Sequence, residues 1–206
     1  ETAPSKGDWG GIKHKGTGVF EHAVLEYSGY GVYAESANLT FKNSKITYSG
    51  GYGLRGSFYD RTVLIDNSEI RGTSNNYGIY FWNGNQGTFT MKNSKVLNST
   101  TGNTLIQVRE ASVVELEGNE INGNKRSDID ISSPQKTVSI KGNTLNNNTE
   151  GSIRIRDGWS QEVSIKVEDN KINSGNNYFG QIRVDGFQTG SEILIQNNTI
   201  VSRGGG

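Results

Sequence analysis

The chain has 206 residues, carries 21 basic and 21 acidic side chains for a formal net charge of zero, and contains no cysteine. That balance leaves no overall field to steer nucleic acid or an anionic membrane onto the surface. The missing thiols exclude disulfides, zinc–thiolate sites and cysteine nucleophiles. At 32% apolar residues and a mean hydropathy of −0.62 the composition alone resembles that of a disordered chain, but the apolar residues recur in a fixed order that disorder would not produce.

Taken in chain order, the opening GDWGGI leads into a run beginning at Ile12, with Trp9 expected to pack against the end of the fold. From there a short run with alternate apolar residues returns as GVYA, GLRG, GIYF, LIQV, DIDI, SIRI and QIRV. Its first apolar residues are Val32, Leu54, Ile79, Ile106, Ile129, Ile153 and Ile182, at spacings from 20 residues (Ile12 to Val32) to 29 (Ile153 to Ile182). Length therefore varies while the runs persist, which assigns the extra residues to surface turns.

After each run comes a stricter frame: LTFKNSKI, VLIDNSEI, FTMKNSKV, VELEGNEI, VSIKGNTL, IKVEDNKI and ILIQNNTI. Aligned on the small or amide position, the column reads Ser44, Ser68, Ser94, Asn119, Asn143, Asn170 and Asn198, with Ala23 extending it upstream. Three residues earlier every member is apolar, from Phe20 to Ile195; five residues earlier only Gly18 departs from that rule. The spacing of two inside each frame is the period of a strand. A unit this short cannot bury its own apolar face, so successive units must stack into a solenoid. The expected fold is all-β, a right-handed parallel β-helix of about eight coils, forming a single domain over residues 1–206. The chain is expected to be a module of a larger secreted or surface protein.

Coils of this length with an inward amide at a tight bend resemble the right-handed parallel β-helix family typified by pectate lyases. The resemblance covers roughly residues 9 to 202 and rests on the N-[NS]-x-I frame and the GDWGGI opening. It implies that Asn119, Asn143, Asn170 and Asn198 form an internal ladder, which Ser44, Ser68 and Ser94 continue less completely.

Function is sought on the outward positions of the variable run, which such a solenoid aligns into columns. These are Tyr33, Arg55, Tyr80, Gln107, Asp130, Arg154 and Arg183, and beyond them Glu35, Ser57, Trp82, Arg109, Ser132, Arg156 and Asp185. The next turns add Phe58, Tyr59, Asp60, Asp157, Trp159 and Phe187. Aromatic rings offer plates for sugar faces, and arginine offers paired donors to carboxylates. An outward Tyr80 and Trp82 expose much apolar surface unless the insertion from Asn83 to Thr88 covers them.

Three functions follow as expectations. The first is a non-catalytic extracellular or cell-surface module binding an acidic or cell-wall polysaccharide through Tyr33, Arg55, Tyr80, Trp82, Gln107, Arg109, Asp130, Arg154, Arg156 and Arg183. The second, implied by the resemblance, is a uronate lyase with Arg154, Arg156 and Arg183 as candidate bases and calcium as a candidate cofactor on Asp130, Asp157 and Asp185; otherwise no cofactor is expected. The third is a structural stalk or adhesin spacer, with end-to-end self-association between open ends. Hydrolase and triad chemistry lack support, because His14 and His22 are the only histidines and both lie in the first coils. No phosphate loop and no outward threonine rank on the variable run point to nucleotide or ice binding.

Overall fold

A computed structural model describes residues 3–74, 77–99, 104–123, 128–148, 153–156, 162–174 and 181–202. Every strand in it pairs in parallel with its counterpart one coil away, and the strands collect into three eight-stranded sheets. The first sheet runs from Ile12–His14 to Ile182–Asp185, the second from Thr17–Glu21 to Glu192–Gln196, and the third from Val24–Glu26 to Thr199–Ser202. Parallel neighbours cannot be joined by a tight hairpin. Here the rest of the coil is the crossover.

The strand period places the frame's apolar columns inside. Leu39, Val63, Phe89, Val114, Val138 and Ile165 pair in succession along the second sheet and are at most 1% exposed, as are Phe41, Ile65, Met91, Leu116, Ile140 and Val167. Ile46, Ile70, Val96, Ile121, Leu145 and Ile172 close the core from the third sheet. Gly18, the one departure in its column, has a physical cause. His14 points inward from the first sheet, its ring 5.7 Å from that of Phe20, and a Cβ on Gly18 would lie 2.5 Å from the imidazole. At the other end the inward Ile193, Ile195 and Ile200 are roughly half exposed. Trp9 packs at the first coils, donating from its indole to the Glu26 carbonyl at 2.7 Å and bridging to Ser28.

The bend between the second and third sheets carries the ladder expected from the frame. At the residue before it the backbone takes positive φ, at Asn43, Asn67, Asn93, Asp169 and Asn197 (45–57°) and at Gly118 and Gly142, residue types that tolerate the left-handed region. The following side chain turns inward. The backbone N–H of Ala23 donates to Ser44 Oγ, Ser44 to Ser68, Ser68 to Ser94, Ser94 to Asn119 Oδ1, Asn119 to Asn143, Asn143 to Asn170 and Asn170 to Asn198, all within 2.9–3.1 Å. Each asparagine also donates from Nδ2 to a carbonyl of the preceding coil, Asn143 to Leu116 at 2.9 Å for example, and Asn119, Asn143 and Asn170 donate to the next amide oxygen as well. Serine has a single hydroxyl proton, so Ser44, Ser68 and Ser94 keep the backbone rung and lose the side-chain rung. A second buried hydroxyl ladder, Ser28 with Ser49 and Thr73 with Ser99, lines the bend after the third sheet.

Charges on either side of the first bend alternate by coil. Lys42, Asp66, Lys92, Glu117, Lys141 and Glu168 are successive register partners in the second sheet, and Lys45, Glu69, Lys95 and Glu120 in the third. Lys95 meets Glu120 at 2.8 Å and Lys45 meets Glu69 at 3.5 Å. Each exposed pair adds little, but skipping one coil would set lysine on lysine and glutamate on aspartate, so the bands disfavour misordered coils.

One interior position changes character along the axis. In six of the eight first-sheet strands the carbonyl that receives the first N–H belongs to Gly31, Gly53, Gly78, Leu105, Asp128 and Gln181 in turn. A Cβ at Gly53 would fall 2.4 Å from Ile70 Cγ2, so in that coil the backbone packs directly against the isoleucine and only glycine fits. Asp128 is fully buried, and desolvation holds its carboxyl well above the usual carboxylate range.

Two stability predictions follow. Asn143→Ala strands the Asn119 N–H, leaves Asn119 Nδ2 with only its bond to the Met91 carbonyl, and removes the side-chain donor to the Leu116 carbonyl, at about 1–3 kcal/mol for each buried group left unpaired. Urea denaturation is expected to register a loss of about 3 kcal/mol or more, with Asn143→Ser losing roughly half; equal losses would contradict the ladder. For Asp128 the folded pKa exceeds the unfolded value near 3.8. Its proton-linked contribution is therefore complete below that value and is lost as pH rises through it toward the folded pKa. Asp128→Asn is expected to gain stability relative to the parent chain as pH increases from 4 upward, and a pH-independent difference would contradict this.

Candidate functional site on the outward face of the first sheet

Register places the outward residues of the first sheet in two columns. Lys13, Tyr33, Arg55, Tyr80, Gln107, Asp130, Arg154 and Arg183 are consecutive partners. Glu35, Ser57 and Trp82 form one stretch of the second column, and Arg109, Ser132, Arg156 and Asp185 another. Residues as much as 150 positions apart or more in sequence, such as Tyr33 and Arg183, thus share one surface.

The first half of this face is aromatic. The Tyr80 ring lies 4.8 Å from Tyr77, 5.0 Å from Trp82 and 6.0 Å from Tyr52, with interplanar angles of 19–27°. Tyr33 reaches Trp82 at 6.2 Å. These are offset-stacked contacts, and the rings stay half-buried rather than sealed. The Arg55 guanidinium sits over Tyr33, Tyr30 and Tyr52 at 4.4, 4.7 and 4.9 Å. Burial and the neighbouring Tyr80 raise the Tyr77 phenol, while the Tyr80 hydroxyl, accepting from Arg109, holds that guanidinium above its ordinary range.

The second half is ionic and largely self-satisfied. Asp130 is only 5% exposed, and Arg156 donates to both its oxygens, Nε to Oδ1 at 3.1 Å and Nη2 to Oδ2 at 2.8 Å. Gln107, 7% exposed, reaches Asp130 Oδ2 at 3.5 Å. Arg183 pairs with Asp185. Arg154 stands between Asp130 and Arg183 in register, with its Nε sealed and without a hydrogen-bond partner.

Several sequence-derived candidates shift. Phe58, expected on the binding face, is fully buried, edge-on to Phe81 at 5.8 Å, and belongs to the core. The insertion after Trp82 closes over Phe58, since a Cβ on Gly84 would lie 2.4 Å from its ring. Phe187 leans on the core as well, whereas Tyr59 is half exposed and Asp60 pairs with Arg61 at 3.1 Å. Asp157 and Trp159 lie outside the described residues. Calcium takes six to eight oxygens. Of its candidate ligands Asp130 and Asp185 are already paired with arginines, and among the described residues no three histidine, aspartate or glutamate side chains gather.

Tyr30, Tyr52 and Tyr77 went unnoticed among the outward candidates. Their signal is a Tyr-Gly pair before three consecutive first-sheet strands, in SGYGVYA, GGYGLRG and NNYGIYF. The glycine is required by the close approach to the third sheet, and the tyrosine before it joins the outer face.

Three parallel sheets around one apolar core, locked by an in-register ladder at the bend, define a parallel β-solenoid. The chain belongs to the family described as "Right handed beta helix region", which matches residues 10–90 and 30–200. No curated protein and no solved structure matches the chain.

Removing Arg156 leaves Asp130 as a buried carboxylate without its main donor. Arg156→Ala is expected to destabilise by about 2 kcal/mol, and by less than half of that in an Asp130→Asn background. Additive losses in the double-mutant cycle would contradict the pairing.

Proposed function

We propose that this chain is a non-catalytic, extracellular or cell-surface β-helix module that binds a polysaccharide along the outward face of the first sheet. One observation carries the reading: Tyr33, Tyr52, Tyr77, Tyr80 and Trp82 are gathered in mutual contact on a solvent-facing sheet, half-buried, with no segment of the described chain closing over them in the way residues 83–88 close over Phe58. Rings held rigid by their neighbours present apolar edges and faces at low entropic cost, and their hydroxyls supply hydrogen bonds to sugar hydroxyls. A repeating polymer lying along the solenoid axis would meet a repeating surface.

The lyase reading has less support. A catalytic base must shed its proton, and arginine gives up its proton reluctantly. Arg156 and Arg183 are moreover already engaged by aspartates of the chain.

Glycan-array binding followed by calorimetry tests the proposal. Trp82→Ala and Tyr80→Ala are each expected to weaken binding about tenfold or more, in line with the loss of a stacked ring. Affinity unchanged in both variants, with the fold intact by circular dichroism, would refute it.

A further inference from the structure

Arg55 differs from the outward Arg109, Arg156 and Arg183 of the first sheet in having aromatic rings where they have carboxylates. Arg109 lies 3.8 Å from Glu110, Arg156 holds Asp130 and Arg183 holds Asp185; Arg154 neighbours Asp130 in register without an ion pair, but among the described residues no ring lies over its guanidinium as three do over Arg55. The register neighbours of Arg55 are Tyr33 and Tyr80, and among the described residues no carboxylate stands within ion-pair distance of it. Even Lys13, the nearest cation in the same column, is taken by Glu35 at 2.8 Å.

Three ring faces at 4.4–4.9 Å hold the Arg55 guanidinium, and its Nε is sealed from solvent without a hydrogen-bond partner. Ring quadrupoles attract a cation but accept none of its N–H bonds in the plane of the fork. A half-buried charge therefore stands oriented, with its terminal donors unanswered by any acid among the described residues. Such a group is pre-organised for a planar or tetrahedral oxyanion, which engages two parallel N–H donors. The cage fixes the fork before binding, so little freedom is lost when the anion arrives.

We infer that Arg55 selects the ligand's charge: the polysaccharide carries an oxyanion, a sugar carboxylate or sulfate, which seats on Arg55 while neighbouring rings take the sugar. The inference rests on the carbohydrate reading above and narrows it. It places acid recognition among Tyr30, Tyr33 and Tyr52 and takes it away from the Arg156 and Arg183 pairs, whose donors are engaged within the chain.

The test uses the whole chain and three oligosaccharides of matched length, one uronate, one sulfated and one neutral, with dissociation constants from calorimetry. The parent chain is expected to favour at least one acidic ligand over the neutral one by tenfold or more. Arg55→Gln is expected to bring that ratio close to one, whereas Trp82→Ala weakens acidic and neutral ligands alike. Arg55→Lys, which keeps the charge but not the fork, is expected to retain a preference reduced severalfold; it carries the test if glutamine unfolds the coil. The uronate and sulfated arms tell which acid is recognised. A ratio that persists undiminished in both Arg55 variants, or a parent chain that binds the neutral ligand as well as both acidic ones, overturns this inference and leaves the carbohydrate reading standing. Absence of binding to all three overturns the two together.

Discussion

The hydrogen bond from the backbone N–H of one ladder residue to the side-chain oxygen of the next coil is the interaction on which the rest of the molecule depends. A bend between two parallel strands inside a solenoid exposes main-chain groups to an apolar interior, where an unmade bond is costly. After the first coil, where Ala23 only donates its N–H, the chain meets this with a residue short enough to turn inward and polar enough to accept: serine in the earlier coils and asparagine in the later ones. Because each rung joins two coils, it also fixes their register, and a one-residue slip would reverse every side chain between core and surface. The columns on the first sheet, and hence any ligand surface built from them, inherit their alignment from that bend.

The outward face divides where the interior changes. In the coils that carry Gly53 and Gly78 the backbone runs close against the third sheet, and the residue before each glycine is a tyrosine that joins the aromatic group. In later coils the equivalent interior position holds Leu105, Asp128 or Gln181, and the face above is built of arginine and aspartate. Acids and bases there neutralise one another within the chain, as Asp130 does with Arg156. The aromatic half leaves its one enclosed cation, Arg55, to the rings alone. The asymmetry between a self-satisfied half and an unanswered one gives the face its direction along the axis.

Much of this was legible in the sequence because a solenoid turns periodicity directly into position. The frame predicted which residues face inward, the inward ladder from Ser44 to Asn198, and the column that joins Tyr33 to Arg183, since each depends only on spacing within a strand and on stacking between coils. Even the single exception, Gly18, was visible, although its cause was not: the imidazole of His14 comes from another strand and fills the space from across the core. What spacing could not supply was side-chain direction beyond the strands. Phe58 follows a strand and had no alternation to assign it to a face; the turn of the next coil folds over it. Asp130 read as outward and is outward by register, yet the long side chain of Arg156 from the next coil covers it. Tyr30, Tyr52 and Tyr77 sat just before the strands, where the strand period does not reach.

The most direct test of the ladder is native-state amide hydrogen exchange. Ladder residues occupy bends, and bend amides ordinarily exchange fast through local opening. If each N–H is held by the side chain of the next coil, the amides of Ser68, Ser94, Asn119 and Asn143 are expected to exchange only on global unfolding, as slowly as those of the central strands. Exchange at the rate of exposed turn amides such as Asp60 would contradict the ladder and, with it, the register that aligns the outward face.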